Sequence, residues 1–320
     1  MKISTPTDFD GLWRNATLYA IIAAWAQRGL FSSLMQKPRA IEDLPANQRA
    51  LECTVPMLMH SGLLQTDGQL LALTPLATKI EQQADWPKAG LGQLSDLSRL
   101  GDTFDDGDPV KDEQGTPQKT DGGVNREVPE QARNFIDTLY HRSDESSLLT
   151  AQWLQRHWAA GGRILDLGGG HGRYAKELAD RGFDLTLFDI ELVVAFARER
   201  YGNTLSYING DFFVIHLRGS WDGIFMSNIV HGLSEEENRQ LLKRLRNALK
   251  PGAMLAVKDM FLDQSGAHPE VSAAFAVTML MYTSAGKSYR LNDYQQWCQE
   301  AGFSDFQIIY TPSYEICLAR

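Results

Sequence analysis

The sequence predicts an α/β protein in which an open sheet with interleaved helices follows a mostly helical N-terminal region. Three observations lead to this prediction. Short apolar runs alternate with helically spaced segments through the second half of the chain. A glycine-rich turn, residues 168–172, directly follows the first of these runs. Over the first hundred residues, apolar side chains recur mainly at helical intervals.

Length and charge restrict the classes of protein to consider. The 320 residues suggest about two domains, and 43% hydrophobic with 22% charged residues is ordinary for a globular protein. A net charge of −9 disfavours nucleic acid and anionic membranes as main partners. The apolar run at residues 18–26 is too short to span a bilayer, and no basic leader with a cleavage site precedes it.

Cysteine and histidine usage indicates a reducing compartment and no metal. Cys53, Cys298 and Cys317 are widely spaced and odd in number, as in proteins with reduced thiols. The seven histidines are scattered and form no metal-binding spacing. We therefore expect a cytoplasmic protein without a structural metal.

Residues 1–100 have the element order of a winged-helix domain. Helical spacing over residues 9–35 and 51–64 is followed by two predicted strands, residues 63–65 and 69–73, joined at Asp67-Gly68, a strong hairpin signal. Winged helices often bind DNA, but nine Lys/Arg and nine Asp/Glu leave this region without net charge. We expect it to serve packing or dimerisation.

Residues 101–128 are acidic, rich in glycine and proline and poor in apolar side chains, which predicts a polar linker or long loop. Helical spacing returns over residues 129–160 and leads into a domain that spans 129–320. Its seven predicted strands, with helices between the earlier ones and the last pair antiparallel, are 164–167, 185–189, 205–208, 221–227, 253–259, 306–312 and 313–319.

The glycine-rich turn admits two kinds of cofactor. Read from Gly170, with Gly172 and Ala175, it fits the dinucleotide pattern, and Asp189 lies 19 residues further on. Asp166, at the end of the preceding strand, needs a partner for its carboxylate. The ammonium group of an amino acid would satisfy Asp166, whereas a pyrophosphate would be repelled. This favours a cofactor with an amino-acid part and leaves a nicotinamide cofactor as the alternative.

Many segments along the chain match one family in the right order. They are RGLF, DLPA, SGLLQTDGQLLALTPLA, LDLGGGHG, LFD, NGDFF, SNIVHGLSEEE, LKPGAMLAVKD and AGKSYRLNDYQQWCQEAGF. The chain resembles the S-adenosylmethionine-dependent O-methyltransferases of the caffeic acid and acetylserotonin type, and within them the bacterial enzymes of carotenoid, bacteriochlorophyll, polyketide and phenazine metabolism. The resemblance implies an N-terminal winged-helix dimerisation domain, a Rossmann-like seven-stranded methyltransferase sheet and S-adenosyl-L-methionine as cofactor.

The resemblance implies a role for each residue around the turn. Asp166, Gly168, Gly170 and Gly172 match the family's loop around the methionine part of the cofactor. Asp189 matches the acid that holds both ribose hydroxyls, a task suited to a carboxylate with two acceptor oxygens. The alternative for Asp189 is that it caps the following helix.

Three further positions match the cofactor site. Asp211 and Phe212 match the acid and its neighbour that bracket the adenine, with core packing as the alternative for Phe212. Ser227 stands where plant members carry a lysine, so a cofactor contact at this position would differ in character.

His231 carries the predicted chemistry. It matches the family's general base, and Asp259 matches the acid that orients it. A phenol has a pKa near 10 and a histidine near 6.5. A positioned imidazole can therefore take the proton only as the oxygen attacks the methyl group. The alternative for His231 is a surface histidine beside the helix start at residues 234–237.

Three residues depart from the plant pattern. Gly232 and Leu233 replace Asp and Trp, and Ser288 replaces a second glutamate. These differences keep open nitrogen or carbon methylation, a reaction without a base, and a member whose chemistry is lost or changed.

The predicted acceptor site lies further along the chain. Met279, Tyr282 and Thr283 match the family helix that clamps a planar acceptor, with core packing as the alternative. Together these observations predict a homodimeric, metal-free methyltransferase that acts on a hydroxyl group of a small aromatic or polycyclic metabolite. The alternatives from other classes are an NAD-linked oxidoreductase and a winged-helix regulator that senses a metabolite.

Overall fold

The computed structural model of the chain describes residues 6–82, 90–111, 129–215, 217, 221–310 and 315–320. The chain forms two compact units, Met1–Gly101 and Asp102–Arg320. The first is helical with one small hairpin, and the second contains a seven-stranded sheet with helices. The predicted α/β class is confirmed.

The first unit has the predicted order of helices followed by a hairpin. Its elements are α1 Pro6–Gln27, α2 Leu30–Gln36, α3 Gln48–His60, β1 Leu64–Thr66, β2 Leu71–Leu73, α4 Pro75–Gln82 and α5 Gly90–Ser98. β1 and β2 pair antiparallel. The Asp67 side chain accepts hydrogen bonds from the backbone N–H groups of Gln69 and Leu70. These bonds draw both residues into the turn, so β2 begins at Leu71 and not at residue 69 as predicted.

The second unit supplies the predicted sheet. Its elements are α6 Thr103–Asp106, α7 Pro129–Arg142, α8 Asp144–Leu154, β3 Arg163–Leu167, α9 Arg173–Ala179, β4 Asp184–Asp189, α10 Glu191–Tyr201, β5 Ser206–Asn209, β6 Trp221–Ser227, α11 Glu235–Ala248, β7 Leu249–Asp259, α12 Glu270–Tyr282, α13 Leu291–Glu300, β8 Gln307–Tyr310 and β9 Glu315–Ala319. The strand order is β5-β4-β3-β6-β7-β9-β8. The first five of these strands pair in parallel, and β9 pairs antiparallel with β7 and β8, as predicted for the last two strands.

The strand order reverses direction between β3 and β6. From β3 the chain passes to β4 and β5 on one side, and β6 then returns to the other side of β3. Such a reversal opens a crevice at the carboxyl ends of the two central strands. This is the edge of the sheet where the glycine-rich turn lies.

Both faces of the central sheet are buried. On β3, Leu165 and Leu167 face the cluster that includes α11 and α13, whereas Ile164 faces the cluster that includes α8 and α9. β6 alternates in the same way, with Met226 on the first face and Phe225 on the second. Burial on both faces explains why the sequences of these strands are continuous runs of apolar residues.

The start of the predicted linker folds onto the second unit. Thr103 and Val110 are buried, and the Val110 N–H donates a hydrogen bond of 2.9 Å to the carbonyl of Met281 at the end of α12. The composition of residues 101–128, which is polar overall, gave no indication of this contact. Residues 112–128 lie outside the described part of the chain.

We expect Gly223→Ala to destabilise the fold. Gly223 lies on central strand β6, where an added Cβ would stand 2.6 Å from the Trp158 indole and 2.9 Å from Ile164 Cδ1. Forcing an atom into a packed interior costs about 1–3 kcal/mol of unfolding free energy. Urea denaturation would measure the loss.

Gly101→Ala is the matched control, because its added Cβ meets no atom within 4 Å. Equal stability of the Gly223→Ala and Gly101→Ala proteins would contradict the packing that the structure shows at β6.

Candidate active site

The predicted site residues converge on the carboxyl edge of the sheet. Parallel strands end at the same edge, so residues far apart in sequence meet there. The strand ends contribute Asp166 from β3, Asp189 from β4, Ser227 from β6 and Asp259 from β7. The glycine-rich turn follows β3, and His231 lies in a short helical turn, Val230–Gly232, after β6.

The glycine-rich turn requires glycine at three positions. Gly168, Gly170 and Gly172 have φ of 68°, 55° and 74°, in the left-handed region. A Cβ on Gly172 would also lie 2.8 Å from the Tyr201 ring, whereas one on Gly170 would meet only the Gly168 carbonyl at 3.9 Å. The space over Gly170 therefore admits the close approach of a ligand.

Asp166 is a buried acid with an unused acceptor. Its side chain is 1% exposed, and Oδ2 has no hydrogen-bond partner among the described residues. Burial first, and then the charge of Asp189, raise the pKa of Asp166 to about 7. A cationic group placed against this carboxyl would satisfy Oδ2 and offset the cost of its burial.

Asp189 stabilises the glycine-rich turn. Its Oδ2 accepts a 2.9 Å hydrogen bond from the Gly170 N–H, and its Oδ1 accepts one of 2.7 Å from the Ile190 N–H. The alternative in which Asp189 caps α10 is not observed, because Ile190 occupies the cap position and no side chain caps the helix.

Asp211 and Phe212 lie beside Asp189. The Gly210 N–H, between β5 and Asp211, donates to the Asp189 carbonyl. Asp211 is exposed and accepts a hydrogen bond from the Phe213 N–H, which forms a tight turn. The half-buried Phe212 ring packs edge-on against Phe188, with the centroids 6.5 Å apart. Phe212 therefore has a packing role on one side and an accessible part on the other.

His231 and Asp259 form a hydrogen-bonded pair. The Nδ1 of His231 lies 2.7 Å from Asp259 Oδ1. Burial raises the pKa of Asp259, but His231, the Met260 N–H and Lys258 outweigh burial and hold that pKa below its usual value. An ionised carboxylate can only accept hydrogen bonds, so Nδ1 carries the proton. In the neutral imidazole, Nε2 is then the nitrogen that can accept a proton.

Two residues that the sequence analysis missed hold the histidine turn in place. The side-chain amide of buried Asn238, on α11, donates to the carbonyls of Val230 and Leu233. The Tyr289 hydroxyl donates to the same Leu233 carbonyl at 2.6 Å. Sequence inspection predicted the helix start at Ser234, which forms a capping box, but had no signal for an inward-facing amide one turn later.

One face of α12 borders the histidine. Met279 is buried and Tyr282 is half-buried, and Phe275, at helical spacing from both, packs edge-on against the His231 ring at 4.7 Å. Phe275 was missed, although the spacing 275, 279, 282 could have identified it. The Thr283 hydroxyl donates to the Met279 carbonyl and accepts from the Gly286 N–H, so its hydrogen bonds stabilise the end of the helix.

Ser288 and Ser227 differ in their surroundings. Ser288 is buried and donates a hydrogen bond to the Ser272 carbonyl, so it has a structural partner. The Ser227 Oγ is buried without a partner among the described residues. Beside Ser227 in register lies Lys258, a buried cation that the sequence analysis did not single out. Lys258 could have been identified from the sequence, because it is a charged residue within an otherwise apolar strand.

The described parts of the chain contain no group of three or more His, Cys, Asp or Glu side chains placed to hold a metal ion. No described helix has both the length and the apolar character needed to cross a membrane.

Comparison with known proteins identifies relatives along the whole chain. A family model described as an O-methyltransferase domain matches residues 115–304. Human acetylserotonin O-methyltransferase is 30% identical over 203 residues, 57% of this chain and 58% of the relative. The chain thus spans less than two thirds of that relative. The 3-hydroxy-5-methyl-1-naphthoate 3-O-methyltransferase of Streptomyces sahachiroi is 26% identical over 314 residues, 93% of this chain and 88% of the relative.

A solved structure shares the fold. The crystal structure of human N-acetylserotonin methyltransferase, in complex with SAM, superposes with a TM-score of 0.80 at 21% identity. The superposition covers 100% of this chain and 99% of the human one. This agreement extends the fold assignment to both units.

We expect Asp166→Asn to raise the melting temperature of the cofactor-free protein, and to raise it more at pH 8 than at pH 5. The pKa of Asp166 rises from 3.8 to about 7 on folding, so between these values the folded chain holds a proton that the unfolded chain has released. Stability of the wild type therefore falls as the pH rises through this range. An uncharged asparagine avoids that loss, and thermal denaturation at both pH values would measure the difference.

Asp184→Asn, at the exposed start of β4, is the control and should have the same small effect at both pH values. If the rise in melting temperature caused by Asp166→Asn were the same at both pH values, the pKa of Asp166 would not be raised by folding.

Proposed function

This chain belongs to the O-methyltransferase family, and from that premise we propose that it transfers the methyl group of S-adenosyl-L-methionine to a hydroxyl group of a small aromatic or polycyclic metabolite. The observation that carries the proposal is the His231–Asp259 pair, which lies at the same sheet edge as the glycine-rich turn. Relatives named for naphthoate and tetracenomycin polyketide methylation support an aromatic acceptor.

The residues around the turn fit the proposed cofactor. Asp166 presents a buried oxygen that an ammonium group would satisfy, and Gly170 leaves open space above the backbone. Asp189 would hold the ribose hydroxyls, and Asp211 with Phe212 would border the adenine. When bound, S-adenosylmethionine supplies a methyl group on a positively charged sulfur, which is already a good leaving group.

His231 acts as the general base in this proposal. Its Nε2 accepts the proton of the acceptor hydroxyl while that oxygen forms its bond to the methyl carbon. Asp259 holds Nδ1 at 2.7 Å and stabilises the imidazolium that results. Alignment of the reacting atoms by the surrounding residues supplies much of the remaining acceleration. Nitrogen methylation would need this base less, so the pair favours a hydroxyl acceptor.

The face of α12 would receive the acceptor ring. Phe275, Met279 and Tyr282 provide aromatic and thioether surface next to His231. Methionine adapts to irregular apolar shapes, and aromatic rings pack against flat ligands. Thr283 would act through the loop that it stabilises and not by direct contact.

We expect calorimetric titration to show binding of S-adenosylhomocysteine and not of NAD. Asp189→Ala should weaken that binding about tenfold or more, because it removes the carboxylate that bonds to the turn and would hold the ribose. His231→Gln should leave binding intact and lower methyl transfer by about 10²–10⁴-fold, the usual contribution of a general base. Transfer would be measured with methyl-labelled S-adenosylmethionine and a panel of phenols, naphthols and hydroxyindoles.

The control for His231→Gln is His60→Gln at the exposed end of α3, which should change neither binding nor transfer. NAD binding would establish the oxidoreductase alternative instead. Undiminished transfer in His231→Gln would refute the general-base role.

We also propose that the chain is a cytoplasmic homodimer joined through its N-terminal unit. In that unit, α1 exposes Trp13 at 77% and Leu12 at 38% of their side-chain surface. Large exposed apolar side chains on one helix are typical of a protein–protein contact.

Size-exclusion chromatography with light scattering should give twice the chain mass of 35.8 kDa for the wild type and the single mass for Trp13→Glu, since a charge is costly in an apolar interface. Leu148→Glu, an exposed apolar position on α8 in the other unit, should remain dimeric. A monomeric wild type would contradict the proposal.

A further inference from the structure

Lys258 is a buried lysine to which the proposed methyl transfer assigns no role. It lies near the end of β7, its residue is 5% exposed, and it pairs in register with Ser227 at the end of β6. Lysine is almost never fully buried unless an anionic or polar group compensates its charge. Its position at the carboxyl edge of the sheet makes Lys258 a candidate to contact a ligand there.

Lys258 faces the glycine-rich turn and not the catalytic pair. Side chains alternate along a strand, so Lys258 and Asp259 point to opposite faces of the sheet. Lys258 shares its face with Ala256 and lies under α9, where its Nζ is 5.6 Å from the centre of the Tyr174 ring. The Tyr174 hydroxyl in turn contacts Ser146 Oγ on α8 at 2.8 Å.

The neighbouring histidine contributes no charge to this region. His171, within the turn, accepts a hydrogen bond at Nδ1 from the Arg173 N–H and contacts Ser143 Oγ through Nε2. Burial first, and then the charges of Arg173, Arg200 and Lys258, lower the pKa of His171 to about 3. His171 is therefore a neutral hydrogen-bonding group at physiological pH.

Two other cations near the turn lie on helices and pair with acids there. Arg173 pairs with Asp144 of α8 at 2.8 Å, and Arg200 pairs with Asp137 of α7 at 2.8 Å. Lys258 lies on the sheet itself, at the edge where a ligand would bind.

A buried acid lies on the same face, one strand away. Asp166 on β3 is in register with Phe225 of β6, and Ser227 follows two residues later on the same face as Phe225. Oδ2 of Asp166 and Oγ of Ser227 are both buried without partners among the described residues. The end of β6 is thus flanked by an acid on one side and a lysine on the other, with polar atoms between them.

We propose that Lys258 binds the carboxylate of the amino-acid part of the cofactor, while Asp166 receives its ammonium group. An α-amino acid carries both charges at neighbouring atoms, which matches the acid and the base on either side of β6. The inference rests on the proposed function, since it assigns a ligand group to the same site. Lys258 would make the site specific for an intact amino-acid tail.

The electrostatic environment supports this assignment. Burial lowers the pKa of Lys258 to about 8, against the opposing charge of Asp259. A carboxylate brought beside the ammonium would reverse that shift, because an opposite charge favours the protonated form. The charge-assisted hydrogen bond that forms is of the stronger class found in proteins.

The test compares two ligands that differ only in the carboxylate. S-adenosylhomocysteine has it, and the decarboxylated analogue S-adenosyl-3-thiopropylamine lacks it. We expect calorimetry to show that the wild type binds S-adenosylhomocysteine about ten to a hundred times more tightly than the analogue, the range for a hydrogen bond to a charged group. Lys258→Met should lose most of this preference, with the affinity for the analogue nearly unchanged.

Two further variants complete the experiment. Lys243→Met removes an exposed lysine of α11 and should retain the full preference for the carboxylate. Lys258→Gln removes the charge but keeps a polar end, and should lose the preference as Lys258→Met does. Melting temperatures would verify that both Lys258 variants are folded under the conditions of the titration.

The outcomes separate this inference from the proposed function. If S-adenosylhomocysteine fails to bind the wild type, the proposed function fails and this inference with it. If it binds but the wild type does not prefer it to the analogue, or if the preference survives in Lys258→Met and Lys258→Gln, only the role of Lys258 is overturned. Equal losses for both ligands would likewise overturn it, because they would indicate general damage to the site.

Discussion

The parallel pairing of β3 with β6 is the constraint on which the rest of this structure depends. It joins two strands whose register partners Leu167 and Met226 are 59 residues apart in the chain, and a third strand, β7, pairs in parallel with β6. Because all three run in the same direction, their carboxyl ends share one edge. Asp166, Ser227 and Asp259 meet there for that reason alone.

Close packing on both faces makes that edge the place where polar groups can gather. The strands are buried between helices along most of their length, so charged side chains inside them carry a high cost. Yet three charged residues, Asp166, Lys258 and Asp259, are each at most 5% exposed at this edge. The His231–Asp259 pair offsets part of that cost internally, since Asp259 accepts three hydrogen bonds from the His231 segment and Met260. In the proposed complex, Asp166 and Lys258 would each contact a ligand group of opposite charge, so ligand binding would also stabilise the fold.

Much of the fold followed from local patterns. Apolar runs of strand length predicted all seven strands, and Asp67-Gly68 identified the hairpin. The spacing of Asp166 and the glycines at 168, 170 and 172 located the turn. These three glycines adopt left-handed conformations, which explains why glycine is present there. Such signals are visible because they depend on neighbours within a few residues. The contact between Val110 and Met281 left no such signal, because the two residues are 171 positions apart in the chain.

By itself, the sequence determined the fold class, the family and which strand ends carry acids. Only the tertiary structure decided that Asn238 and Tyr289 hold the histidine turn, that Phe275 packs against His231, and that the Thr283 hydroxyl bonds within its own loop. It also decided that Lys258 and Asp259, adjacent in sequence, serve opposite faces of one sheet. The physical reason is that periodicity reports which face of an element is apolar, whereas hydrogen-bond partners and cross-strand neighbours are selected by register and packing between distant segments.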